Sequence, residues 1–157
     1  MPETKESRDM NRDMDLVRSL LLELETYAFL PDQTTMDEID VKPLAEKLGV
    51  TDDQVHHHLR LLYQAGFIEA WVFRGKLGVS QSTKRQVDHD YIFFVTPKSI
   101  TWKGYEYLET VRDPELWKKT KEGAKKIGSF GLDTITDLAK GLIKQKIKQH
   151  TGVDIEV

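Results

Sequence analysis

Three consecutive histidines, His56, His57 and His58, stand out first because an imidazole can bind a metal ion or transfer a proton. Successive helical residues project about 100° apart, so three adjacent rings cannot converge on one metal ion. His58 lies three residues after Val55 and four before Leu62, on the apolar side of a predicted helix. This position predicts a core histidine with hydrogen-bonded ring nitrogens, and the triplet predicts no metal site.

A second polar group, Asp88, His89 and Asp90, has the residue types of a metal site or of an acid and base pair. It lies at the foot of a predicted hairpin, and no second cluster of ligating side chains is expected to meet it. The sequence also lacks the serine motif of the α/β-hydrolases, a phosphate-binding glycine loop and the His-Glu motif of the zinc proteases. We therefore expect no catalytic residues, no cofactor and no enzymatic activity.

The clearest binding chemistry lies on the polar side of a helix predicted over residues 51–64. Arginine can pair with the major-groove edge of guanine, and glutamine with that of adenine, so such a surface can read base pairs. Asp52 and Asp53 would repel phosphate, and they are explained more simply as first-turn residues that the helix dipole favours. The predicted DNA-binding residues of this helix are Gln54, His56, His57, Arg60 and Gln64.

Basic residues follow in the predicted hairpin, whose polar span over residues 74–90 contains no acid before Asp88. Cations there can contact a phosphate backbone or enter a minor groove. Hairpin tips are also commonly polar and basic for solubility alone, so both interpretations stay open. The predicted phosphate-contacting residues are Arg74, Lys76, Lys84 and Arg85.

These side chains must be positioned by the segment over residues 41–70, which reads as two short helices across a tight turn followed by a strand. Gly49 supplies a stop after the first helix, and Thr51 and Gln54 have the spacing of a capping box at the start of the second. The second helix has an apolar stripe at i, i+4 and i+7. The stripe consists of Val55, Leu59 and Leu62. This pattern is typical of a helix-turn-helix.

After Gly66 the apolar period changes from 3.6 to 2, which predicts strands over residues 67–73 and 91–95. A first helix is predicted over residues 10–28, and Thr101 is the expected N-cap of another, in which Gly104 would let the helix start lie close to the sheet. The sequence thus predicts an α+β, mainly α protein: a winged helix-turn-helix with a three-helix core, a β-hairpin wing and a C-terminal helical extension.

The domain boundary is predicted between Asp113 and Pro114, because the composition then shifts towards lysine. We expect a disordered tail over residues 1–8, a winged domain over 9–113 and an extension over 114–157. The last helix, predicted over 132–149, has an apolar side opposite Lys140, Lys144 and Lys148. Docking on the winged domain or on a second copy, attachment to a membrane surface and added phosphate contacts are all compatible with that pattern. The apolar side consists of Leu132, Ile135, Leu138, Ala139, Leu142 and Ile143.

Composition limits the remaining possibilities. With 157 residues, 39% hydrophobic and 31% charged, the chain has room for one domain and an appendage. It has no cysteine, no apolar run near the roughly 20 residues of a membrane span and no signal peptide, so a cytoplasmic location is expected. The net charge of −3 is unevenly distributed: 4 Lys/Arg face 11 Asp/Glu in the first 40 residues, but 5 face 2 over residues 71–100.

Several separated pieces of the chain resemble a family of bacterial and phage proteins grouped as domain-of-unknown-function family 2513. The resemblance covers most of residues 12–147, implies a winged-helix protein of prophage or mobile-element character, and brings no activity. The Thr101 and Gly104 pattern is also similar to winged-helix regulators of the antibiotic-resistance and arsenic-repressor kinds. The matching pieces are Arg12 to Leu16, His58 to Leu62, Ala65 to Ala70, Thr101 and Trp102, Gly104, Tyr107 and Leu108, Trp117, and Lys119 to Lys121.

The sequence leaves two function hypotheses. The first is a DNA-binding transcriptional regulator of phage or prophage type that acts as a homodimer on double-stranded DNA. Its two chains would pair through the first helix or through the last helices. The second keeps the fold but gives it a host or phage protein as partner, because the acidic N-terminal third and the net charge of −3 would slow association with DNA.

Overall fold

The computed structural model describes residues 11–27, 41–76 and 90–155. The predicted class is confirmed: these ranges form six helices and one two-stranded antiparallel sheet, an α+β arrangement that is mainly helical and compatible with a winged helix. The predicted tail and the predicted loop or strand over residues 34–41 lie, apart from residue 41, outside the described ranges. The elements are α1 (Met14–Thr26), α2 (Val41–Leu48), α3 (Asp52–Gln64), β1 (Ile68–Lys76), β2 (Asp90–Ile100), α4 (Trp102–Val111), α5 (Pro114–Ile127) and α6 (Leu132–Thr151).

The start of α1 corrects the predicted helix over residues 10–28. The helix begins at Met14 because the side chain of Asp13 accepts hydrogen bonds from the backbone N–H groups of Asp15 (2.8 Å) and Leu16 (3.3 Å). A carboxylate that satisfies these otherwise unpaired donors defines an N-cap. At the other end, Tyr27 has extended backbone and closes the helix.

The turn between α2 and α3 forms as predicted. Gly49 has a φ of 68°, which glycine adopts without steric cost, and the next residue returns the chain by donating from Val50 N to Ala45 O at 3.1 Å. The capping box is present: Thr51 Oγ1 accepts from Gln54 N at 3.2 Å, and Gln54 Oε1 accepts from Thr51 N at 3.0 Å. These bonds fix where α3 begins.

The strands of the hairpin are longer than predicted, since β1 extends to Lys76 and β2 begins at Asp90. Arg74 and Lys76, which were predicted to lie in the tip, belong to β1 and pair with Ile92 and Asp90. The ladder continues past the apolar residues because its hydrogen bonds join backbone groups, whatever side chains they carry. Pro97 is tolerated within β2 because a two-stranded sheet leaves each strand one open edge.

One hydrophobic cluster holds the helices and the hairpin together, and it continues past Pro114. Leu20 and Leu24 of α1 are fully buried, as is Leu59 of α3, and the same cluster includes Trp117 of α5 and Ile135 of α6. The extension therefore packs on the preceding elements, and the predicted boundary at residues 113 and 114 stays a prediction. Since the centre of the α6 apolar stripe is buried in this cluster, that part of the stripe is not available to a membrane surface.

The contact between α4 and the sheet explains Gly104, as predicted. A Cβ on Gly104 would lie 2.1 Å from the carbonyl oxygen of Phe67, so only a residue without a side chain lets the helix approach this closely. Thr101 caps the helix by accepting from Gly104 N at 3.1 Å, and its own N–H donates to Phe67 O at 2.9 Å. Among the described helices, none is both long enough and apolar enough to cross a membrane.

Candidate nucleic-acid interface

Helix α3 has one fully buried side and one side turned to solvent. The buried side is at most 1% exposed. Four polar residues recur at i, i+4, i+7 and i+11 on the opposite side, where Asp53 and Gln64 are exposed and His57 and Arg60 are half-buried. The buried residues are Val55, His58, Leu59 and Leu62. The structure thus brings His57, Arg60 and Gln64 together on one surface.

Arg60 differs from Arg12, Arg18 and Arg112 in having no partner among the described residues. Arg18 donates to the carbonyl oxygens of Val111 (2.6 Å) and Arg112 (2.7 Å), and Arg112 donates to Glu25 through both terminal nitrogens. In the ranges that the structure describes, Arg60 makes no hydrogen bond or ion pair, and its Nε is buried without an acceptor. A buried donor left unpaired is uncommon in folded proteins, so the guanidinium is available to a ligand if the side chain extends.

Gln54 and His56 lie beside this surface. Both residues are half-buried. The side-chain oxygen Oε1 of Gln54 is engaged in the capping box, and the residue lines a cavity of about 290 Å³ together with the start of α1, Lys121 and Phe130. Gln54 therefore has only its amide N–H donors left for a ligand, and its predicted contact with DNA stays a prediction.

His58 is the core histidine that the sequence predicts. It is 1% exposed, its Nδ1 lies 2.8 Å from the carbonyl oxygen of Gln54, and its Nε2 accepts from the backbone N–H of Asp13 at 2.9 Å. Only the neutral tautomer with its proton on Nδ1 satisfies both contacts. Burial lowers the pKa of His58, which favours the same neutral form.

The hairpin cations are only partly within the described ranges. Arg74 and Lys76 belong to β1, next to the turn, whereas Lys84 and Arg85 lie outside the described residues. Asp88 and His89 also lie outside, and Asp90 is the first residue of β2. Across the described part of the chain, no group of three or more histidine, aspartate or glutamate side chains is arranged to hold a metal ion.

Sequence reasoning missed the outward face of the hairpin. Trp71 and Phe73 are 49% and 44% exposed, and the ammonium of Lys98 lies 4.1 Å from the centre of the Trp71 ring. We call Trp71, Phe73 and Lys98 the aromatic face. The signal was the alternation along β1, where Ile68 faces the core and residues 71 and 73 fall on the opposite side. Exposed neighbouring aromatic residues mark a contact surface.

A second group that sequence reasoning did not assemble joins the start of α1 to α5. Trp117 Nε1 donates to Asp15 Oδ1 at 2.6 Å, and Lys121 donates to both carboxylate oxygens of Asp15 at 2.8 and 3.0 Å. Burial alone raises the pKa of Asp15, but the hydrogen bonds from Lys121 and Trp117 outweigh it and lower the pKa. His58 is hydrogen-bonded to Asp13 nearby. Three of the segments that carry the family resemblance, around Asp15, His58 and Trp117, therefore lie close together in the fold.

Comparisons with known proteins agree with that resemblance. The family model described as Hypothetical protein (DUF2513) matches residues 11–131, a range that contains every element from α1 to α5. A Haemophilus influenzae (strain Rd) protein described as an uncharacterized protein is 28% identical over 144 residues, covering 88% of this chain and 99% of that protein. No solved structure matches.

Proposed function

The chain belongs to the DUF2513 family, and we propose that it is a DNA-binding protein of the winged-helix type. In this proposal α3 enters the major groove, α2 braces it, and the hairpin is the wing. The observation that carries the proposal is the solvent side of α3. His57, Arg60 and Gln64 share that side, while the opposite stripe is fully buried and fixes the direction in which they point.

The chemistry of this surface suits base pairs. Arg60 has no partner in the described structure, and a bidentate contact with guanine O6 and N7 would satisfy its guanidinium. Gln64 would pair with adenine, and His57 and His56 would contact neighbouring base edges. Arg74 and Lys76, at the turn end of β1, would contact phosphates together with Lys84 and Arg85.

We further propose a regulator of phage or prophage type that binds as a homodimer. Two copies related by a two-fold axis would place their α3 helices in successive major grooves about 34–36 Å apart, so the site would be an inverted repeat. The proposal needs no catalytic group and no cofactor.

Selection from a randomised duplex library, followed by fluorescence anisotropy with the selected site, tests this function. Arg60→Ala is expected to weaken binding by about 1–3 kcal/mol and to relax the preference at one base pair. Arg60→Lys is the matched control, because it keeps the charge but loses the bidentate geometry. We expect it to keep non-specific affinity while losing the preference. The proposal is wrong if the wild type selects no sequence and binds no duplex at low salt.

The aromatic face supports a second candidate, a module that binds a host or phage protein. Aromatic residues concentrate at the centres of protein interfaces, and about half of each of the Trp71 and Phe73 side chains is exposed. Under this candidate, a Trp71→Ser and Phe73→Ser variant loses a nuclease-resistant partner that the Arg60→Ala variant retains. Loss of every partner on nuclease treatment would instead favour DNA.

A further inference from the structure

Helix α5 carries a row of lysines beside the start of α3. Lys118, Lys121 and Lys125 recur at i, i+3 and i+7, so they lie along one side of the helix. The two hydrogen bonds from Lys121 to Asp15 turn that side towards the start of α1. Lys118 and Lys125 therefore flank the contact between α5 and α1, one turn away on each side. We call Lys118 and Lys125 the α5 lysine pair.

Lys121, on this side of α5, shares a cavity with the first turn of α3. Lys121 and Gln54, the latter in the first turn of α3, line one cavity of about 290 Å³ together with residues 11–15 and Phe130. Recognition helices of helix-turn-helix proteins contact base edges with their N-terminal residues. The α5 lysine pair thus lies on the side of α5 that shares this cavity with the first turn of α3.

The α5 lysine pair has no carboxylate partner among the described residues. Both residues are exposed, and in the described part of the chain neither ammonium has a carboxylate within 4.0 Å. By contrast, Lys121 and Lys146 are paired with Asp15 and Asp113 at 2.8 Å. Helix α5 holds five lysines against two glutamates in a chain whose net charge is −3. The positive charge is therefore concentrated at this position.

Helix α3 needs such a neighbour if it binds DNA. Its one arginine, Arg60, is outnumbered by Asp52 and Asp53 on the same helix, so α3 offers no net positive charge to the backbone. Phosphate neutralisation by lysine and arginine supplies essentially all sequence-independent affinity. Lys118 and Lys125 are separated by about 10.5 Å along α5, roughly three phosphate rises of 3.4 Å on one strand.

We propose that the α5 lysine pair binds the phosphate backbone of the duplex whose groove α3 enters. This inference rests on the proposed function and extends it, because it makes the C-terminal extension part of the DNA-binding surface. The partner is double-stranded DNA, recognised by charge and without regard to sequence.

The test compares two charge-matched double variants by anisotropy with a non-specific duplex between 50 and 200 mM salt. Lys118→Gln with Lys125→Gln should reduce the slope of log K against log salt by roughly 2, since each lost phosphate contact removes about 0.9. Lys140→Gln with Lys144→Gln removes the same charge from α6, where Lys140 lines a groove shared with α4 and Phe67. It should retain the wild-type slope.

Two outcomes overturn the inference. If the wild type binds and the α5 variant keeps its slope, the α5 lysine pair does not contact phosphate, although DNA binding stands. Equal losses in both double variants would also overturn it, because net charge and not position would then explain the effect. Failure of the wild type to bind any duplex is a different result, which overturns the proposed function itself. Thermal unfolding of each variant confirms that the substitutions leave the fold intact.

Discussion

At the scale of single residues, His58 links two helices that are far apart in sequence. Its Nδ1–H donates to Gln54 O within α3, and its Nε2 accepts from Asp13 N at the start of α1. Protonation of Nε2 would bring its N–H donor up against the N–H donor of Asp13, and it would place a charge in the core. The ring therefore stabilises the fold only while it is neutral.

We predict that acidification destabilises the protein through His58. Because the pKa of His58 is lowered in the folded state, the unfolded chain binds more protons as pH falls below the ordinary histidine value of about 6.5. The contribution of His58 to the free energy of unfolding is therefore fully present above about pH 6.5. It decreases as the pH falls towards the folded-state pKa of His58. Urea unfolding between pH 7.5 and 5 measures this, and His58→Gln should flatten the dependence.

His57→Gln is the matched control for this prediction, since His57 is half-buried and touches His58 only edge to face at 5.3 Å between ring centres. Its pH dependence should follow the wild type. Parallel curves for the wild type and the His58→Gln variant would show that another group governs the acid limb.

At the scale of elements, α4 lies close to the chain at the start of β1, where Gly104 meets Phe67. We predict that Gly104→Ala destabilises the protein by about 1–3 kcal/mol, because the added methyl group would lie 2.1 Å from a backbone oxygen and 2.7 Å from Ile100. Gly141→Ala in α6 is the control. A methyl group there meets nothing within 4 Å, so helix propensity should stabilise by about 0.5–1 kcal/mol. Urea unfolding distinguishes the two, and equal effects would contradict the packing argument.

Local signals predicted the elements well. The capping box of Thr51 and Gln54 located the start of α3, and the period of Val55, Leu59 and Leu62 identified its buried side. The ends of helices and strands that depend on partners far away in the sequence were harder to predict. The hairpin extends through Arg74 because backbone pairing continues where apolar alternation stops, and no local pattern reports that.

At the scale of the whole molecule, the C-terminal helices share the core of the preceding elements. Trp117 is 4% exposed and bonded to Asp15 across 102 residues of sequence. This contact was not predictable, since a tryptophan and an aspartate so far apart have no shared periodicity. For the same reason, the sequence did not indicate that α5 shares a cavity with the first turn of α3.

We predict that Trp117→Ala destabilises the entire chain by about 3–5 kcal/mol, because it leaves a cavity in a continuous core and removes one hydrogen bond to Asp15. Circular dichroism and tryptophan fluorescence should report one coincident unfolding transition in the wild type. Trp102→Ala is the control, since that ring is 82% exposed and should change stability by less than about 0.5 kcal/mol. Separate transitions for α5–α6 and the rest would contradict a shared core.

The two hydrogen bonds of His58 fix the rotation of α3 about its own axis. One extra residue between Gln54 and His58 would rotate everything beyond it by about 100°, separating the ring from both partners and turning Arg60 aside. Length differences among relatives should therefore occur in the connections between helices and not within the first two turns of α3. Substitutions at positions 57, 60 and 64 can then occur one at a time without changing the direction in which α3 presents them.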